Sequence, residues 1–157
     1  MKLTADLQNG ILMAGEIVFP ITCKVRNLKE GTRQSYEIVR TCHDNLPYDP
    51  CPFPRGRWNI VGLDWQKDKG FDPNTYGPVK ILTDAWRIVN VWELDNEGDY
   101  LRETDRQVTD TCYWLHYSTS GTTLGCIRIA SPEDAVKLAG IIESALGNYE
   151  PVQLEVI

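Results

Sequence analysis

The sequence predicts a mostly β domain that ends in one helix. Short segments in which apolar and polar residues alternate follow one another along most of the chain, and turn residues separate them. The 157 residues include 42% apolar side chains, a length and composition typical of one domain with a real core. We therefore expect a single domain over residues 1–157, with a β-sandwich or barrel-like architecture and a C-terminal helix at about 132–146.

The N-terminal residues predict a hairpin. Apolar and polar residues alternate over residues 3–7, and the Asn9-Gly10 pair is typical of a type I′ turn. The return strand is expected to continue to Ile21, with Gly15 and Pro20 marking a bulge or bend.

The middle of the chain predicts short strands between irregular segments. Four prolines between residues 42 and 56 exclude a helix or a central strand there. A loop is expected at 27–34, another at 64–78 and a turn at 96–98. Strands are expected at 35–41, 57–62, 79–82, 87–94 and 112–116.

The predicted helix has clear boundary signals. Ser131 suits the N-cap, Pro132 suits the first helical position, and the two acidic residues that follow favour the positive end of the helix dipole. Gly147 is the expected stop. Residues 153–157 are expected to add a final strand.

Charge and hydropathy narrow the classes of partner. The net charge is −6 and no run of Lys or Arg occurs, which argues against a nucleic-acid partner. No apolar stretch approaches the roughly 18 residues needed to span a bilayer. The first residues lack the pattern of a signal peptide. We therefore expect a chain that acts where it is made, is exported by another route, or has had a signal removed.

The five cysteines indicate at least one unpaired thiol, because their number is odd. Cys42 and Cys51 flank the proline-rich segment and are candidates for a disulfide. With two histidines and no recognisable ligand spacing, we expect no metal site and no cofactor.

The segment with candidate catalytic residues runs from His116 to Cys126. His116 closes one predicted strand, a Ser/Thr/Gly loop follows, and Gly125-Cys126 opens the next apolar run. A thiol becomes a nucleophile when a nearby base takes its proton, and an imidazole within reach can do so. Backbone N–H groups around Gly125 are expected to form an oxyanion hole. The alternatives are that Cys126 is a core thiol and His116 a satisfied strand-end residue, or that Cys112 is the nucleophile.

This segment resembles the catalytic motif of the L,D-transpeptidase (YkuD-type) family, which is Ser/Thr-x-Gly-Cys followed by an aliphatic residue, Arg and another aliphatic residue. Residues 123–129 match it, and His116 matches the upstream base, although Tyr117 follows where the family has glycine. Residues 53–60 and Tyr76-Gly77-Pro78 resemble two further family stretches. The similarity is to the compact branch, which includes phage-associated proteins and antibacterial effectors of type VI secretion.

The resemblance implies an enzyme that acts on peptidoglycan stem peptides in the periplasm or cell wall. Cys126 would form a thioester next to a terminal D-amino acid. An amine acceptor would then give L,D-crosslinking or D-amino-acid exchange (a transferase), and water would give L,D-carboxypeptidase hydrolysis. Arg128 is expected to meet a substrate carboxylate or to hold the loop. The candidate substrate contacts are Thr123, Ser120 and Tyr117. For Thr123 and Ser120 the alternative is a plain turn role.

Two other classes of protein remain open. One is a non-catalytic cell-wall-binding module on the same scaffold. The other is a papain-like peptidase, in which the cysteine comes near a helix start and well before the histidine, the reverse of the order here. An antibacterial effector would also have an immunity or inhibitor protein as a partner.

Overall fold

The computed structural model describes residues 1–25, 46–66 and 73–157. The loop expected at 27–34, the strand expected at 35–41 and the Cys42 side of the candidate disulfide lie outside these ranges. Within them the chain forms, in order, β1 (Lys2–Asp6), β2 (Ile11–Ala14), β3 (Ile17–Thr22), β4 (Gly56–Trp65), α1 (Pro73–Tyr76), β5 (Val79–Thr83), β6 (Arg87–Leu94), β7 (Tyr100–Asp110), β8 (Trp114–Tyr117), β9 (Ile127–Ile129), α2 (Pro132–Gly147) and β10 (Gln153–Val156).

Eight of these strands close into a barrel. Its strand order is β1-β10-β4-β5-β8-β9-β3-β2, while β6 and β7 form a separate two-stranded sheet. Most neighbours are antiparallel, but β8 and β9 are parallel, as are β1 and β10. The predicted fold class, mostly β with a C-terminal helix, is confirmed.

The core explains why β5, β8 and β9 lie where they do. Ile81, Leu115, Ile127 and Ile129 are fully buried, and they join one apolar cluster with the inner face of α2. Side chains alternate between the two faces of a strand. The residues that neighbour these four along their strands therefore point away from the core, to the face on which the candidate site lies.

The first turn differs from the prediction. Asp6 pairs with Ile11, so four residues form the turn. The Asp6 carboxylate accepts hydrogen bonds from the backbone N–H groups of Gln8 and Asn9. Gly10 has a φ of 69° while Asn9 has a negative φ, whereas a type I′ turn needs positive φ at both central residues. The predicted type I′ turn is wrong because the aspartate organises a different turn.

Other predicted elements and boundaries also differ from those in the structure. The predicted long return strand is two strands, because Gly15 adopts a φ of 63° and turns the chain between β2 and β3. The predicted loop at 64–78 contains α1 and the end of β4. β7 was not predicted, since it is largely exposed and lacks apolar alternation. Gly147 lies inside α2, and the positive φ after that helix is at Tyr149.

Candidate functional site

Strand pairing brings the predicted catalytic residues to one face. His116 lies opposite Lys80 of β5 and opposite Arg128 of β9. The same parallel register puts Cys126 beside Trp114, and the amide N–H of Trp114 donates to the Cys126 Sγ at 3.5 Å. Paired residues on neighbouring strands project to the same side of a sheet. His116, Cys126 and Arg128 therefore share the face opposite the core.

The His116 ring is held in one orientation. It is 6% exposed, and its Nδ1 lies 2.9 Å from the carbonyl oxygen of Tyr117. Because a carbonyl only accepts, this contact assigns the proton to Nδ1 and leaves Nε2 with its lone pair. The edge of the Tyr76 ring packs on the imidazole, with centroids 5.4 Å apart. The arrangement is that of a neutral imidazole with Nε2 available as a base.

Burial and charge both favour the neutral imidazole. Burial is the main cause that lowers the pKa of His116 below its ordinary value, and the hydrogen bond to Tyr117 opposes that shift. The cations of Lys80 and Arg128 lower the pKa further, because a second positive charge nearby is unfavourable.

The Cys126 thiol rests in its neutral form. Burial raises its pKa to about 12, although the Trp114 N–H favours the thiolate. The Sγ donates to the carbonyl oxygen of Cys112 at 3.5 Å. His116 and Cys126 are both described by the structure, and no hydrogen bond joins their side chains. Proton transfer between them therefore requires the two side chains to approach.

Gly125 is required by packing. Its φ is 126°, and a Cβ at this position would lie 2.6 Å from the carbonyl oxygen of Cys51 and 2.9 Å from the Tyr113 ring. Gly125 therefore lets the backbone lie close to the protein's own segment at Cys51. The Gly125 N–H donates to the Thr123 Oγ1 at 3.2 Å, so this amide is already occupied and is not a free oxyanion donor here.

The loop before Cys126 is held by its own hydroxyl groups. Thr123 is buried, and its Oγ1 donates to the carbonyl oxygen of Cys126 at 2.8 Å while it accepts from Gly125. The Ser120 Oγ accepts from the Thr122 N–H at 3.3 Å. These contacts favour the turn interpretation of Thr123 and Ser120 over direct substrate contact.

Replacing Thr123 with valine should lower the free energy of unfolding by about 1–3 kcal/mol, because the buried Gly125 N–H loses its acceptor without a change in side-chain volume. Denaturant titration of the intact protein measures the effect. Thr123→Ser keeps the hydroxyl and should stay close to the wild type. A loss in Thr123→Ser with none in Thr123→Val would mean that packing of the methyl group, and not the hydrogen bonds, holds the loop.

Arg128 supports the loop and faces the site. Its Nε donates to the carbonyl oxygen of Ser118 at 2.7 Å, and its guanidinium lies 5.4 Å from the centre of the Tyr117 ring. This is the loop-holding role predicted as one of two alternatives. The terminal nitrogens of Arg128 make no hydrogen bond to the described residues. Tyr117 itself packs on the core beneath the guanidinium and against Gly77.

The remaining cysteines are now distinguished. Cys112 is disulfide-bonded, which excludes it as a rival nucleophile. Cys51 is a free thiol, so its candidate disulfide with Cys42 is wrong. Cys23 is also free, and its Sγ donates to the carbonyl oxygen of Gly125 at 3.5 Å.

Two residues of this face, Lys80 and Tyr76, were not predicted as site residues from the sequence. Lys80 is a charged residue inside the otherwise apolar β5 segment, which is a signal that could have been used. Tyr76 stood in a stretch chosen for its family resemblance, but contact with His116 depends on the fold. Three acidic side chains with metal-compatible spacing occur among the described residues, outside this face in the turn between β6 and β7: Asp95, Glu97 and Asp99.

Comparisons with known proteins add little beyond the geometry. No family model matches the chain, and no curated protein matches it. A solved structure entitled "Structure of Bdellovibrio bacteriovorus Bd1075" is similar at a TM-score of 0.40 and 12% identity. The match covers 99% of this chain and 46% of that one. Within the described ranges, no helix combines the length and apolarity needed to cross a membrane.

Proposed function

We propose that this protein is a cysteine acyl-transfer enzyme of the L,D-transpeptidase type that acts on peptidoglycan stem peptides. The observation that carries the proposal is the parallel register of β8 and β9. It brings His116 in β8 and Cys126, directly before β9, to one face. The contact of Nδ1 with the Tyr117 carbonyl oxygen leaves Nε2 as the basic nitrogen. The sequence motif around Cys126 supplies the substrate class.

The proposed reaction has two halves. Nε2 of His116 takes the proton from the Cys126 thiol, and the thiolate attacks the carbonyl carbon next to the terminal D-amino acid. The C–N bond breaks, the D-amino acid leaves as an amine with the proton from the imidazolium, and a thioester remains. An acceptor amine or water then attacks the thioester and restores the thiol.

The resting geometry sets what substrate binding must accomplish. The thiol is neutral and lies without a hydrogen bond to the imidazole. In free enzymes catalytic hydrogen bonds are often long and shorten when substrate binds. The side chains of His116 and Cys126 must therefore close the remaining gap in the substrate complex.

The substrate class determines the place of action. Peptidoglycan lies in the periplasm or cell wall, so we extend the proposal to action there. The motif similarity to the compact branch supports an antibacterial effector exported through type VI secretion or a phage-associated protein. A producing cell would then need an immunity protein that covers the face containing Cys126.

One observation favours a second candidate, a non-catalytic wall-binding module. Burial raises the pKa of Cys126 to about 12, and an inert thiol would behave in the same way. In such a module the face would bind stem peptides, and the thiol would be a packing residue.

Mass spectrometry of muropeptides incubated with the protein separates these functions. Wild type should remove or exchange the terminal D-amino acid, or form dimers, and Cys126→Ala should do none of these. Cys51→Ala is the matched control, because Cys51 is also a free, half-buried thiol. New dimers or exchanged D-amino acids indicate a transpeptidase, and loss of D-alanine alone indicates a carboxypeptidase. Unchanged muropeptides together with measurable binding would support the wall-binding module.

A further inference from the structure

Lys80 is a buried cation that the proposed reaction does not use. It lies in β5, whose other residues are apolar except Thr83, and it is 7% exposed. Lysine is almost never this buried unless its charge is paired. Its partner is Asp64 of β4, whose Oδ2 lies 3.3 Å from the Lys80 Nζ.

Two aromatic rings link the Lys80 ammonium to the candidate catalytic groups. The Nζ lies 4.4 Å from the centre of the Trp114 ring and 4.8 Å from that of Tyr76. Both distances are typical of cation–π contacts. Trp114 donates its backbone N–H to Cys126, and Tyr76 packs on the His116 imidazole. Lys80 therefore touches one ring on the thiol side and one on the imidazole side.

We propose that Lys80 is a positioning residue whose charge favours the thiolate of Cys126 over the thiol and keeps His116 neutral. This inference rests on the proposed function, because it assigns Lys80 a role in activating the same nucleophile and base. A buried cation stabilises a nearby anion and opposes a nearby cation. After proton transfer it therefore stabilises the thiolate and makes the imidazolium a stronger acid toward the leaving amine.

Other described groups also act on the His116–Cys126 pair. Arg128 of β9 faces His116, and Lys80 and Arg128 both lower the pKa of its imidazole. Asp110 at the end of β7 and the free thiol of Cys23 raise the pKa of Cys126, while Lys80 lowers it. Among the described residues, Lys80 is thus the cation that lowers the pKa of both groups, and Asp64 is its ion-pair partner.

The test measures the rate at which iodoacetamide alkylates Cys126 in the intact protein, followed by peptide mass spectrometry. Iodoacetamide is neutral, so long-range steering does not affect its approach. A nearby charge is expected to change the pKa of the thiol by about one unit, which changes the fraction of thiolate about tenfold. A more basic thiolate is also a better nucleophile, so the two effects partly cancel and the alkylation rate changes about threefold. Lys80→Met should slow alkylation about threefold, Asp64→Asn should speed it about threefold, and Lys80→Arg should stay near the wild type.

The opposite signs separate a charge effect from loss of structure. Damage to the fold would move Lys80→Met and Asp64→Asn in the same direction, and that outcome would overturn the inference, as would no change in Asp64→Asn. If Lys80→Met does not fold, the alkylation rates of Asp64→Asn and Lys80→Arg still show whether the charge of Lys80 favours the thiolate. In NMR titrations the pKa of His116 should rise in Lys80→Met.

The two proposals fail differently. If muropeptides are unchanged but the alkylation rates move with opposite signs, the acyl-transfer proposal is wrong and the charge effect of Lys80 stands. If wild type converts muropeptides and the alkylation rates do not move, Lys80 is a packing residue of an active enzyme.

Discussion

Replacing His116 with glutamine should lower kcat/KM for muropeptide conversion by about 10³-fold, a loss typical when a general base is removed. Glutamine keeps a polar side chain of similar length, but its amide cannot take the Cys126 proton at neutral pH. Burial raises the pKa of Cys126 to about 12, so without the base almost no thiolate forms. The initial rate of D-amino-acid release measures the loss.

The pH profile makes this prediction specific. The base works in its neutral form, and burial lowers the pKa of His116, so wild-type activity should persist below the ordinary histidine pKa of about 6.5 and fall at lower pH. In His116→Gln that acid limb should disappear, and the residual rate should rise with pH as thiolate forms. His43→Gln is the matched control, since the chain has two histidines. Loss of activity in His43→Gln with retention in His116→Gln would move the base to His43.

The fold could be predicted where the signals are local. Ser131 accepts a hydrogen bond from the Asp134 N–H, and α2 begins at Pro132, as the sequence indicated. Strands such as β5 and β6 were visible because apolar side chains mark their buried faces. The type I′ turn was wrong because the pattern cannot show that the Asp6 carboxylate will collect the N–H groups of the turn.

The candidate site could be predicted only as a list of residues. His116 and Cys126 were chosen from spacing and motif, but their shared face depends on a parallel pairing that the chain order does not specify. The roles of Gly125 and Lys80 depend on contacts with Cys51 and Asp64, which are distant in sequence. Such contacts leave no periodic signal, so the sequence could name a nucleophile and base but not what surrounds them.

Replacing Gly125 with alanine should lower the free energy of unfolding by roughly 3 kcal/mol and abolish activity. The φ of 126° is strained for any residue with a Cβ, and the new methyl group would lie 2.6 Å from the Cys51 carbonyl oxygen. The new methyl group would also lie 2.9 Å from the Tyr113 ring, which cannot easily move aside. Its hydroxyl donates to Asp110 at 2.8 Å, and its ring packs on Phe53.

Gly121 in the same loop is the matched control for this substitution. A Cβ there meets no atom within 4 Å, and its backbone lies outside the strained region. Gly121→Ala should therefore keep the stability and the activity of the wild type. If Gly125→Ala is as stable as the wild type but inactive, the glycine serves the approach of substrate and the contact with Cys51 is not what requires it. If both stability and activity fall, the position of the Cys126 nucleophile depends on the packing of the segment at Cys51 against Gly125. That contact fixes the residue directly before Cys126.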